Sequence, residues 1–369
     1  MFKCFSQLFS KGNEKISSQV IASEISSRIT LLRFPLILLV IGVHARYSDH
    51  LVVENAGSFL NFPFFVYFPN VAVSVFFCIS GYLLAWQHAA DTKINYGELL
   101  QKKIERLVIP YIFWNLFYFL LFYLAIKVLS GSSFAPNDRY AGIGGLSTFF
   151  YVFGLDLTSF PMDVPLWFVR ELIIYFAFAP LLLKFVFKIK WPVLLLCGVF
   201  ASVIIPIFSG LGYFLIGMTW GRYKYPGTEY FKRNAWFFVG AWGLLAVLSG
   251  VWFNWNIFIL SAFPIFFMMG DWLEKCPEKI KKILSRLGND SFWIYCMHSP
   301  ISTNLGRVFR KLDYFHIPQE LCYLINIVLT TIICLIALWG LRKICMPLGE
   351  ILSGVKEEKK KILQPINLK

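Results

Sequence analysis

The stretch RITLLRFPLILLVIGVHARYSDH, residues 28–50, decides the fold class. From residue 29 to residue 45 it is a continuous apolar run in which Arg33 and His44 are the only ionisable side chains. About 20 such residues in a helix cross the roughly 30 Å of hydrocarbon in a bilayer. Runs of this kind recur along the chain and do not alternate with polar residues, so they indicate helices rather than the strands of a barrel.

The composition agrees with a membrane protein. Hydrophobic residues make up 57% of the chain and charged residues 15%, whereas a soluble domain has about 25% charged residues. We therefore predict an all-α polytopic membrane protein, a bundle of about ten transmembrane helices. The predicted spans are residues 29–47, 64–86, 108–130, 164–187, 191–208, 210–221, 235–253, 256–270, 289–306 and 320–343.

The net charge of +14 indicates orientation in the membrane rather than a nucleic-acid surface. Most of the 35 Lys and Arg residues lie in short connections that are all cytoplasmic if the N-terminus is inside. The positive-inside rule therefore predicts that both termini are cytoplasmic. We expect a multi-pass membrane protein, with the lipid bilayer and no nucleic acid among its partners.

Three regions follow from this topology. Residues 1–28 are expected to form a cytoplasmic leader, residues 29–345 the transmembrane domain and residues 346–369 a basic cytoplasmic tail. One long outer connection, about residues 131–163, is rich in Gly, Ser, Pro and aromatic residues, which is typical of a re-entrant or lid-like loop or of a plain surface loop. The eight Cys residues show no paired spacing, so no metal site is predicted.

Arg33 and His44 lie eleven residues apart in the first predicted span. Eleven helical steps come close to three full turns, so both side chains lie on one stripe, about 16 Å apart along the axis. Ionisable groups at membrane depth are most often functional, although Arg33 could also extend to the headgroups and His44 could sit at the outer interface. His44 has the chemistry of a general base, and Arg33 that of a partner for a carboxylate, phosphate or oxyanion.

Further polar residues lie in or beside other predicted spans. Lys103 and Arg106 stand three apart, a helical spacing at which two cations can clamp a phosphate, although they could also be ordinary cytoplasmic charges at a span end. Arg170 and Glu171 follow Trp167, and one of the two charged residues is expected to face the bundle interior. His298 is either a catalytic or proton-relay partner or a hydrogen-bonded packing group.

The second predicted span contains Ser80 and Gly81 among aromatic residues. Small residues of this kind allow two helices to approach closely. We therefore expect this part of the span to pack tightly against another helix.

Taken in order, these segments resemble the integral-membrane acyltransferases of the acyltransferase-3 family. Members have Arg or Lys, ten residues and then His in the first span, a Phe-rich segment ending in Ser-Gly, and a cytoplasmic basic pair before Leu-x-x-Pro. They continue with a Leu-Trp-Phe/Tyr segment and a late Tyr-x-x-His-x-Pro. The matching segments here are Arg33 to His44, FFCISGYLL (76–84), KIERLVIP (103–110), LWFVREL (166–172) and YCMHSP (295–300).

The resemblance implies transfer of an acyl group, usually acetyl, from cytoplasmic acyl-CoA to a hydroxyl of a surface polysaccharide or lipid-linked glycan. It also implies a place in the bacterial inner (plasma) membrane. His44 would be catalytic with Arg33 as its partner, and Lys103 and Arg106 would hold the coenzyme A phosphates. The family pair usually begins with Arg, and Lys103 lacks the bidentate fork of a guanidinium. A transporter or flippase that uses His44 and His298 as a proton relay, or a non-catalytic scaffold, would also fit the residues alone.

Overall fold

A computed structural model describes most of the predicted helical regions. The described residues are 18–47, 68–88, 95–129, 150–155, 160–190, 192–194, 196–198, 209–222, 236–237, 239–240, 243–244, 268–311 and 318–354. All regular structure within these ranges is helical. The all-α prediction is therefore confirmed for the part of the chain that the structure describes.

The main helices follow the apolar runs of the sequence. They are α1 (Ser18–Tyr47), α2 (Val71–His88), α3 (Tyr96–Lys103), α4 (Ile109–Leu129), α5 (Trp167–Ala177), α6 (Ala179–Lys188), α7 (Ser209–Arg222), α8 (Glu278–Asn289), α9 (Ser291–Lys311), α10 (Gln319–Ile344) and α11 (Met346–Ser353). Single 3₁₀ turns at Phe68–Asn70 and Val164–Leu166 precede α2 and α5, and a π-helical turn at Ile104–Val108 joins α3 to α4.

Several helices are long and apolar enough to cross a bilayer. Among the described residues these are Ile25–Ala45, Val71–His88, Tyr96–Leu124 and Glu320–Ile344, with a fifth span if two bent helices count as one. The chain is thus a multi-pass membrane protein, and the ten spans and the cytoplasmic termini stay predictions. Most of the predicted spans 191–208, 235–253 and 256–270 and of the loop 131–163 lies outside the described residues.

The predicted span 164–187 is not one straight helix. Residues Val164–Ala177 and Ala179–Lys188 meet at an angle of 70°. The break falls at Phe178, just before Pro180, which lacks a backbone N–H and cannot continue the hydrogen-bond pattern of α5. This part of the chain is therefore a broken span or a re-entrant segment, a distinction that hydropathy alone did not make.

Helices α2 and α7 pack with their backbones in direct contact. A Cβ atom added at Gly81 would lie 2.1 Å from the carbonyl oxygen of Phe214, and one added at Gly217 would lie 1.9 Å from that of Cys78. Only glycine fits at such distances, as the sequence predicted for this segment of α2. The contact holds the cavity-facing side of α2, including Ser80, in a set position.

Helix α1 lies inside the bundle, where it contacts α2, α8, α9 and α10. Its buried side chains include Leu36, Ile37 and Ile41. At one end Arg28 pairs with Asp271 and Glu274, at 3.3 Å and 2.7 Å. The stripe that carries Arg33 and His44 therefore faces neighbouring helices and a cavity rather than only lipid.

Candidate active site

A cavity of about 270 Å³ opens beside α1 at the end of the bundle that carries Arg28. Four of the side chains singled out from the sequence line it, namely Arg33, Ser80, Lys103 and Arg106. Aromatic and polar side chains from α5 and α9 and the end of α11 complete the wall: Phe168, Ser291, Phe292, Tyr295 and Ser353. The fold thus joins residues from six separate segments of the chain in one cavity.

The three cations of this cavity have no acidic partner in the part of the chain that the structure describes. Within the described residues, no carboxylate forms an ion pair with Arg33, Lys103 or Arg106, whereas the neighbouring Lys102 pairs with Glu98 at 2.5 Å. The Lys103 ammonium instead lies over the ring of Phe176, 3.7 Å from its centroid. Like charges held together repel each other, so the arrangement favours an anionic ligand, and phosphate groups suit these donors.

A π-helical turn brings Lys103 and Arg106 to the cavity. Lys103 is the last residue of α3, and Arg106 lies within the π-helical turn, where the N–H of Ile109 donates to the carbonyl of Ile104. This wider turn differs from the regular helix expected from the sequence, and such turns are frequent at functional sites. Both cations line the cavity even so, the lysine half-buried and the arginine exposed.

A second cavity of about 470 Å³ adjoins the first and shares Arg106 and Gly354 with it. Its other walls are α3 and α11, with Lys102 on one side and Glu350 on the other. Gly354 ends α11 in the left-handed conformation, at φ 69°, which glycine adopts without strain. The first residues of the predicted basic tail thus form a helix that walls both cavities.

His44 and His298 meet in the bundle. Their ring centroids are 4.8 Å apart and the rings cross edge to face at 70°. His298 is fully buried, and its Nδ1 lies 2.6 Å from the carbonyl oxygen of Tyr295 and 3.2 Å from that of Ile294. The sequence identified each histidine separately as a candidate, and the fold places the two side by side.

Tyr295 connects the cationic cavity with the histidine pair. It lines the cavity, its ring centroid lies 6.0 Å from that of His298, and its hydroxyl donates to the carbonyl of Pro165. In the sequence, Tyr295 begins the motif that contains His298, and no role was predicted for it. Its position three residues before His298 was the available signal.

Three of the sequence candidates belong neither to the cavity lining nor to the histidine pair. Trp167 packs against Phe77, at 5.9 Å between ring centroids. Arg170 donates to the carbonyl of Gly154 at 2.5 Å, and Glu171 accepts from the hydroxyl of Tyr175 at 2.5 Å. Both charged side chains are buried, where only one was expected to face inward, and their roles in the reaction stay predictions.

A buried polar pair, Asn115 and Asp163, was not predicted from the sequence. The backbone N–H of Asp163 donates to the Oδ1 of Asn115 at 3.1 Å, and its carboxylate atom Oδ2 is buried with no hydrogen-bond partner among the described residues. Asp163 did not stand out in the sequence because it is the last residue of a long predicted loop, where acidic residues are common. An asparagine within a predicted span was the one signal.

Residues 27–340 match the profile of a family described as an acyltransferase domain, so the chain belongs to the acyltransferase-3 family. It is also 23% identical over 321 residues to the succinoglycan biosynthesis protein ExoH of Rhizobium meliloti (strain 1021), across 80% of this chain and 84% of that protein. No solved structure matches the chain. The protein is therefore a multi-pass membrane acyltransferase.

The described residues contain no group of three or more His, Cys, Asp or Glu side chains placed to hold a metal ion. The metal-free site expected from the sequence stays a prediction.

Proposed function

We propose that this protein transfers an acyl group, most simply acetyl, from cytoplasmic acyl-CoA to a hydroxyl of a cell-surface polysaccharide or lipid-linked glycan. The observation that carries the proposal is the cluster of Arg33, Lys103 and Arg106 in one cavity, unpaired with any described carboxylate. The relative named for succinoglycan biosynthesis supports a glycan as the acceptor. The inner (plasma) membrane, with both chain ends cytoplasmic, is part of the same proposal.

The two adjoining cavities have room for a long donor whose phosphate groups bind where the cavities meet. Arg106 borders both of them, so phosphate groups bound there would leave one part of the donor in each cavity. The larger cavity would hold the nucleotide part, and the smaller, lined by Phe168 and Tyr295, would lead the acyl end inward. From Arg33 the stripe of α1 runs about 16 Å to His44, a distance that an extended pantetheine arm spans.

His44 is the proposed catalytic base. As the acceptor hydroxyl attacks the thioester carbonyl, its proton passes to the imidazole, and a C–O bond forms while the C–S bond breaks. The sulfur leaves as a thiolate and takes that proton to become the thiol of free coenzyme A. Arg33, on the same stripe of α1 and in the cavity, supplies positive charge for the donor side of this reaction.

Membranes that contain the protein, incubated with labelled acetyl-CoA and the host's surface glycan, test this proposal. We expect label on the glycan, and we expect His44→Ala to lower the rate by about 10²- to 10⁴-fold, the usual contribution of a general base. Val43→Ala, a small change at the adjacent residue of α1 and outside the cavity lining, is the matched control. Glycan movement across the membrane without labelling would instead support the transporter alternative.

A further inference from the structure

The buried ring of His298 carries its proton on a defined nitrogen. Its Nδ1 lies 2.6 Å from the carbonyl oxygen of Tyr295 and 3.2 Å from that of Ile294. A backbone carbonyl can only accept a hydrogen bond, so Nδ1 is the protonated nitrogen of the neutral ring. The other nitrogen, Nε2, therefore has a free lone pair.

Among the described residues, no group donates a hydrogen bond to that lone pair. Nε2 of His298 is buried and lacks a hydrogen-bond partner within the described part of the chain. A buried acceptor without a donor is destabilising, which indicates that something supplies one during the working cycle. The atom has almost no exposed surface, so the hydroxyl group of an acceptor in solution does not reach it in this conformation.

His44 is the neighbouring group that can donate. The edge-to-face contact between the two rings, at 4.8 Å between centroids, places their nitrogens within a short side-chain rotation of each other. Tyr295, whose ring is also close, already donates its hydroxyl hydrogen to the carbonyl of Pro165. The Nε2 atom of His298 can therefore accept a hydrogen bond from an N–H of His44.

We propose that His298 is a positioning residue whose Nε2 accepts the N–H of His44 and so directs the other nitrogen of His44 towards the acceptor hydroxyl. This inference rests on the proposed function. His298 keeps its own proton on Nδ1 throughout, while His44 takes the hydroxyl proton and passes it to the leaving thiolate. A neutral imidazole can orient the base in this way without the desolvation that a buried carboxylate would require.

Two amide substitutions test the proposal, because the Gln and Asn side chains place their amide groups at different nitrogen positions of the histidine ring. His298→Gln carries its amide as far as the position of Nε2, whereas His298→Asn ends near Nδ1. We expect the Gln variant to keep kcat within about tenfold and the Asn variant to lose about 10²-fold or more, on the scale found for groups that orient a catalytic base. The KM for acetyl-CoA should stay unchanged in both, since the cationic cavity is untouched.

A double substitution separates positioning from packing. If His298 acts through His44, adding His298→Asn to His44→Ala should cause no further loss of rate. Independent, multiplying losses would overturn the proposal, as would a normal kcat in the Asn variant. Should the Asn variant fail to fold, as judged by thermal unfolding in detergent, the Gln variant decides the matter: retained kcat supports the proposal, and loss of kcat in a folded protein overturns it.

Different results would disprove the positioning role of His298 and the acyl transfer itself. If the unaltered protein transfers no label to glycan, the proposed function is wrong. If transfer occurs and depends on His44, but His298→Asn leaves kcat normal, only the positioning role is wrong.

Discussion

At the scale of single residues, the fold groups the candidates by chemistry. Arg33, Lys103 and Arg106 line one cavity, while His44 and His298 form a separate contact deeper in the bundle. The first group suits binding of an anionic donor and the second suits movement of a proton. This division predicts that substitutions in the two groups will affect different kinetic constants.

Lys103→Gln should weaken donor binding. The change removes one positive charge from the cavity, and a hydrogen bond to a charged group contributes about 1.5–3 kcal/mol, so the KM for acetyl-CoA should rise by about 10- to 100-fold with little change in kcat. Steady-state rates at varied acetyl-CoA concentration measure this. Lys282→Gln, an exposed residue of α8, is the matched control and should leave KM unchanged.

Lys103→Arg provides a second comparison at the same position. A guanidinium keeps the charge and adds a planar fork for phosphate oxygens, so KM should stay near that of the unaltered protein or fall. A rise in KM equal to that of the Gln variant would contradict a role of this side chain in phosphate binding.

At the scale of the helices, glycine contacts and local breaks in regular structure place the site. The α2–α7 contact fixes Ser80, the π-helical turn at Ile104–Val108 turns the basic pair to the cavity, and the bend at Phe178 ends α5. Hydrophobic periodicity predicted where helices occur but missed these departures from regularity. A π-helical turn and a bend depend on hydrogen bonds and neighbours that a hydropathy pattern does not contain.

Gly217→Ala should destabilise the bundle. Its Cβ would lie 1.9 Å from the backbone carbonyl of Cys78, so α2 and α7 must separate, at about 1–3 kcal/mol or more. Thermal unfolding in detergent should show a lower midpoint and a lower yield of folded protein. Gly340→Ala on α10 has no atom within 4 Å of its added Cβ and should be neutral or slightly stabilising, so an equal loss in both variants would contradict the packing argument.

At the scale of the whole molecule, the cationic cavity and the histidine pair lie at different depths of the bundle. The Arg33 end also contains the ion pairs of Arg28 with Asp271 and Glu274 and of Arg342 with Asp290. The positive-inside rule predicts that this end is cytoplasmic, which is the side on which the proposed acyl-CoA donor would be available. The proposed topology and the proposed donor therefore depend on each other.

Cys345 offers a direct test of this orientation. It is exposed at the junction of α10 and α11, close to the proposed donor side. A membrane-impermeant maleimide should label this residue in inside-out vesicles and not in intact cells, with peptide mass analysis assigning the label. Cys345→Ser should lose that labelled peptide, and labelling of Cys345 from outside intact cells would reverse the topology and exclude a cytoplasmic donor at this cavity.

The sequence by itself determined the membrane-spanning, all-helical class of the protein and pointed to Arg33, His44, the basic pair and His298 one by one. These conclusions were accessible because apolar length, charge asymmetry and ionisable residues within apolar runs are local properties of the chain. The family resemblance, confirmed by the match over residues 27–340, indicated that the reaction is acyl transfer.

Only the tertiary structure decided which of these residues meet. His44 and His298 lie at opposite ends of the chain, and their contact depends on how α1 packs against α9. The same holds for α11, whose last residues wall the cavity although they belong to the predicted tail. Such contacts arise from side-chain fit and close backbone approach between distant segments, and no local pattern of residues encodes them.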